Sequence, residues 1–234
     1  MSINPAVIAS AGRNSLRRGM KTLPRALLDA SCGLSRIAGS NDATARTDTT
    51  GATDGRFIAV EPDVDVETLR RALASGTTAI ALAGCRTGAD IQRLSVLLSV
   101  AEAQEDMPDG SIAIVAMTDG ILPAPVSHQG FSGKSARLAA LVWDQRALEG
   151  NLGAARPRTE DGNWSIPFAT ARAAVLLTAA AAGVPAYDTA SALAGDGFIE
   201  DCRRSRADGF FGRVAAKERQ IAVIEHIYAT GVEP

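Results

Sequence analysis

Three acids and one arginine are placed where side chains could act on a ligand. Asp144 directly follows the apolar run LAALVW, Asp119 lies two residues past SIAIVAM, and Asp188 closes GVPAYD. Arg172 sits early in an alanine-rich apolar stretch leading to Asp188. A guanidinium fork grips a carboxylate or phosphate well, so Arg172 is a candidate substrate-binding residue; the alternative is a salt bridge near a helix start. Asp188 is the other substrate-binding candidate, against a role in capping the following turn. An isolated aspartate after a strand is also a common helix cap, which is the alternative for Asp119 and Asp144.

Other nucleophile and base sets are excluded. His128 and His226 are the only histidines and are far apart, so no Ser/His/Asp or Cys/His set can be argued. His128 lies in PAPVSHQGFSGKS, a loop whose glycines and prolines suit a site mouth, and His226 falls on the surface of the last helix. The phrase GFSGKS lacks the G-x-x-x-x-G-K spacing and a strand feeding it, so it does not bind nucleotide. Cys32, Cys85 and Cys202 form no CxxC pair, which argues against a zinc site or disulfide framework and for a reducing, cytoplasmic setting.

The elements that must hold these residues alternate. RFIAVEP, TTAIALAG, SIAIVAM, LAALVW, GVPAYD and FGRVA read as short strands. Helices are expected over 63–76, Thr87 to Ala103, the alanine-rich stretch before Gly183, Gly197 to Ala207, and Glu218 to Tyr228. Val66, Leu69 and Leu73 share one face of the first, and Ile91, Leu94, Leu97 and Leu98 one face of the second. Six strand–helix units in a row specify a parallel α/β array, either a doubly wound sheet or most of an eight-unit barrel. In both, chemistry sits at the carboxyl ends of the strands. That edge takes in Glu61, Gly84 to Arg86, Met117 to Asp119, Asp144, Asp188 and Lys217.

Composition narrows the partners. Hydrophobic residues are 46% and aromatics only 4%, so the core is aliphatic and alanine-rich. A formal charge of −2 has no basic excess for nucleic acid. The longest apolar run, Ala173 to Ala186, is too short to span a membrane. Residues 1–37 read as an irregular or helical head, either loose or a poorly packed helix from Ser15 to Ala30; its basic, acid-poor start has a transit peptide as the alternative. Residues 38–55 are small, polar and turn-forming, a flexible linker, and the barrel-like domain is expected over 56–234.

ARAAVLLTAAAAGVPAYDTA resembles the seventh-strand region of citrate lyase β-subunit-like proteins of the HpcH/HpaI aldolase superfamily. CRRSRADGFFGRVAAKERQIAVIEHIYA resembles their C-terminal phrase, with Arg172, Gly183, Pro185, Asp188, Gly209, Phe210, Gly212 and Gln220 on the pattern. RLAALVW through Leu152-Gly153-Ala154, TDG at Thr118 to Gly120, and AIALAGCRTGADI resemble further phrases, covering roughly 56–229. The resemblance implies a parallel (β/α) TIM-type barrel, remodelled or incomplete at its first strands, since residues 1–55 lack the opening phrases. It implies a carbon–carbon lyase or aldolase that uses Mg²⁺, held by a Glu and an Asp, on a small keto acid or acyl-CoA thioester.

The same alignment shows departures. Met117 stands at the metal Glu position and Ala147 at the metal Asp position. Ala59 replaces the arginine of R-x-N, Gly84 the lysine of L-P-K, and Ala216-Lys217-Glu218 the I-H-P phrase. Two expectations follow. In one, Asp119 and Asp144 replace the lost ligands and Mg²⁺-dependent lyase chemistry survives. In the other, the chain is a catalytically inactive relative, a binder of a small carboxylate or acyl-CoA ligand or an assembly subunit, as a homo-oligomer or beside an intact paralogue.

Overall fold

A computed structural model describes residues 24–28, 35–36 and 57–229. Eight parallel strands form one sheet: β1 (Ala26–Leu28), β2 (Ser35–Arg36), β3 (Phe57–Val60), β4 (Ala79–Leu82), β5 (Ala113–Thr118), β6 (Leu138–Trp143), β7 (Ala186–Asp188) and β8 (Gly212–Ala215). Their spatial order is β1-β8-β7-β6-β5-β4-β3-β2. This is the cyclic order of an eight-stranded (β/α) barrel opened between β1 and β2. The architecture is a parallel α/β barrel of TIM type, incomplete at its N-terminal strands.

The helices are α1 (Val66–Ala74), α2 (Gly88–Gln104), α3 (Gln145–Leu152), α4 (Ile166–Ala182), α5 (Gly195–Ala207) and α6 (Ile221–Ala229), the last preceded by a 3₁₀ turn at Glu218–Gln220. Local chemistry sets their ends. Asp65 caps α1 by accepting from Thr68 N at 2.7 Å, and Asp90 of α2 reaches back to Thr87 N at 2.8 Å. Gly183 ends α4 with a φ of 72°.

The strands alternate between two apolar faces. Ala59, Ala81, Val115, Ala140, Val142 and Tyr187 cluster with Leu27 inside the barrel, with Met117, Phe211 and Val214 packed against them. Ile58, Val60, Ile80, Leu82, Ile114, Leu141 and Trp143 face outward and pack with buried residues of the helices. Burial on both faces explains why these strands read as continuous apolar runs rather than alternating ones.

All six strands expected from sequence form. The stretch read as a head behaves differently. Within the stretch Ser15 to Ala30, read as loose or as a poorly packed helix, Ala26–Leu28 is a strand paired in parallel with β8. Its placement is tertiary: Glu225 of α6 accepts from both Arg25 N and Ala26 N at 2.9 Å. Ser35–Arg36 likewise pairs with β3. The sheet therefore draws two strands from residues ahead of Arg56. The expected linker over 38–55 lies outside the described residues. Helix α3 was not anticipated, being a single short element of mixed polarity.

Candidate functional site

The carboxyl edge of the sheet above β4, β5 and β6 holds Arg86, Asp119, Asp144 and Asn151. Asp119 is 3% exposed despite its place in a loop. Its Oδ1 accepts from Ile121 N at 2.8 Å. Its Oδ2 accepts from Arg86 Nε at 3.1 Å, Arg86 Nη2 at 2.5 Å and Asn151 Nδ2 at 2.8 Å. These donors occupy the lone pairs that a cation would need. Below them, Met117 packs against the barrel interior, and its carbonyl accepts from Cys85 N at 2.9 Å.

Asp144 and Asp119 stand beyond neighbouring strands, tied by Asp144 N donating to Thr118 O at 2.7 Å. The Asp144 carboxylate is the N-cap of α3, accepting from Ala147 N at 3.1 Å. Ala147, where the motif resemblance expected a metal Asp, thus lies in the first turn of a helix that Asp144 caps. Among the described residues, no group of three or more His, Cys, Asp or Glu side chains could hold a metal ion. Mg²⁺ is commonly held by one or two free carboxylates with water and substrate completing its octahedron, and Asp119, taken up by Arg86, Asn151 and Ile121 N, offers it no free oxygen in this arrangement.

Arg172 and Asp188 are brought together, away from this edge. Along β7 the side chains alternate: Ala186 faces the helices, Tyr187 the barrel interior, and Asp188 the helices again. Asp188 is fully buried and accepts from Arg172 Nη2 at 3.0 Å, Arg213 Nη2 at 3.1 Å and Thr189 N at 2.9 Å. Burial acts to raise its pKa, but the charges of Arg213 and Arg172 outweigh that and hold it below the ordinary aspartate value. Arg172 also bonds Asp208 at 2.6 Å and lies 4.5 Å from the Phe210 ring centre. Arg213 continues to Asp201 at 2.9 Å, and Asp201 to Arg158 at 2.8 Å. This chain of ion pairs joins α4, β7, β8 and α5. Of the sequence alternatives for Arg172, the geometry matches the salt bridge.

Another pattern residue, Gln220, braces the edge. Gln220 accepts from Ala216 N and Lys217 N at 2.8 and 3.2 Å and donates to Ser191 O at 3.0 Å, tying the loop after β8 to the loop after β7. Lys217 is exposed beside it. His128 and His226 are both exposed. Sequence reading placed Arg86 on the edge without a role and passed over Asn151; the only available signal for Arg86 was its position shortly after the β4 run.

No family model matches the chain, and no curated protein matches it by sequence. Solved structures do match. The protein CitE of Mycobacterium tuberculosis, in complex with magnesium and acetoacetate, superposes with a TM-score of 0.58 at 19% identity over 76% of this chain and 70% of that one. The citrate lyase β subunit of the same organism, complexed with oxaloacetate and magnesium, gives 0.57 at 21% identity over 74% and 73%. RipC of Yersinia pestis gives 0.54 at 20% identity over 75% and 78%. The fold is therefore that of citrate lyase β subunits, in agreement with the motif resemblance.

Proposed function

We propose that this chain uses the citrate lyase β-subunit fold to bind a small carboxylate, or an acyl-CoA carrying one, without Mg²⁺-assisted carbon–carbon cleavage. The observation that carries the reading is the state of Asp119. It is buried and saturated by Arg86, Asn151 and Ile121 N, while the position two residues earlier is methionine. A metal-stabilised enolate needs a cation held by free carboxylate oxygens, and this edge offers a guanidinium instead. Small carboxylates, bound together with magnesium to similar folds, support the ligand class. Such a binder fits a role as an assembly partner of a paralogue with an intact metal site, or within a homo-oligomer.

The second reading keeps the lyase. It draws on the adjacency of Asp119 and Asp144 through the Asp144 N to Thr118 O bond. Mg²⁺ would then have to displace Arg86 from Asp119 and share Asp144 with the α3 cap. Calorimetry with oxaloacetate separates the two. Binding in EDTA that Mg²⁺ leaves unchanged supports the binder; binding that appears only with Mg²⁺ supports the lyase.

A further inference from the structure

We propose that Arg86 is the cation that receives the ligand's carboxylate, with Asp119 and Asn151 acting as positioning residues. This rests on the metal-free binding reading above and names the residue that would make it work.

The guanidinium has two edges able to pair with a carboxylate, one formed by Nε and Nη2 and one by Nη1 and Nη2. Asp119 takes the first edge, with both donors converging on its Oδ2 at 3.1 and 2.5 Å. Nη1 has no hydrogen-bond partner among the described residues, so the second edge is open. The side chain is anchored at one end and exposed at the other: Asp119 is 3% accessible and Arg86 48%. Asn151 donates to the same Oδ2 at 2.8 Å, which keeps the aspartate from turning. A fork fixed in this way loses little further freedom when it pairs.

The surroundings suit an incoming anion. Asp119 balances Arg86 within the protein, Asp90 is engaged with Arg86 N and Thr87 N at 3.0 and 2.8 Å, and Asp144 at the same edge caps α3. Two residues before Arg86, Gly84 takes a φ of 62°, and a side chain there would find only Pro62 Cγ, at 3.9 Å. Space is therefore open at the position where the resemblance placed a lysine. The positive charge has moved from a metal and a lysine to one arginine held by the strand-edge aspartate.

The test is calorimetry of oxaloacetate in EDTA on the full chain and three variants. Arg86→Gln is expected to weaken binding about tenfold or more, the scale of a lost charged hydrogen bond. Arg86→Lys should recover part of the affinity, and the salt dependence should fall in the Gln variant. Arg86→Gln/Asp119→Asn removes the buried charge that the single variant leaves unpaired, so it decides the matter if Arg86→Gln misfolds. Wild-type affinity in a folded Arg86→Gln or double variant overturns the role of Arg86 and leaves the binding reading standing. Failure of the wild-type chain to bind without metal overturns the binding reading, and this inference with it.

Discussion

Replacing Asp188 with alanine tests whether the best-matched part of the chain is framework or site. The network around it contains three arginines, Arg158, Arg172 and Arg213, and three aspartates, Asp188, Asp201 and Asp208, in one chain of ion pairs. Deleting Asp188 leaves one cation uncompensated, in a place where Arg213 is fully buried and only Asp201, at 2.9 Å, remains to it. Breaking a buried pair on one side costs about 3–5 kcal/mol. Against a typical stability of about 5–15 kcal/mol that is a large share. At roughly 2–4 °C per kcal/mol for a domain of this size, the melting temperature should fall by about 6–20 °C. Urea and thermal denaturation followed by circular dichroism would read it, with oxaloacetate affinity measured on whatever fraction folds. The expected result is a large stability loss with ligand affinity intact. A loss under about 1 kcal/mol together with abolished binding would refute the assignment of Asp188 and Arg172 to the framework and return them to the ligand.

Two further outcomes follow from the same contacts. Glu102 is buried against Arg137 at 2.6 Å; burial raises its pKa, but the Arg137 bonds and the Ile112 and Gly110 N–H groups lower it to about 2. A carboxyl that titrates lower folded than unfolded stabilises above its unfolded value of 4.5, and that stability is lost as pH falls toward 2; Glu102→Gln should flatten this part of a stability–pH curve. Gly212→Ala would bring a methyl group to 2.1 Å from the Arg25 carbonyl and 2.7 Å from Tyr187, so it should loosen β1 from β8, measured as faster amide exchange at residues 26–28.

The legible part of the fold was the part whose signal is local. TTAIALAG and LAALVW are apolar on both faces and could only be buried strands. Ala26–Leu28 carried no such signal: three residues of good helix formers become a strand by pairing with β8, and Glu225, about two hundred residues on, holds the strand's entry at Arg25 N and Ala26 N. The site was legible only as an edge. Sequence placed Asp188 at a strand end, but whether it faces ligand or helices depends on one residue of register, with Tyr187 taking the inside. Asp119 looked free because its partner Arg86 is 33 positions away. Met117 and Ala147, by contrast, were readable as departures from the aligned motifs alone, and the structure adds that Asp144 is engaged as the cap over Ala147.

Arg86 pairs with the strand-edge carboxylate of Asp119, and the proposal is that it does so in place of a metal. Titrating Mg²⁺ into the purified chain by calorimetry, alone and with pyruvate or glyoxylate, tests it most directly. No saturable heat is expected at millimolar metal in either case. Saturable Mg²⁺ binding that Asp119→Ala and Asp144→Ala both abolish would contradict it.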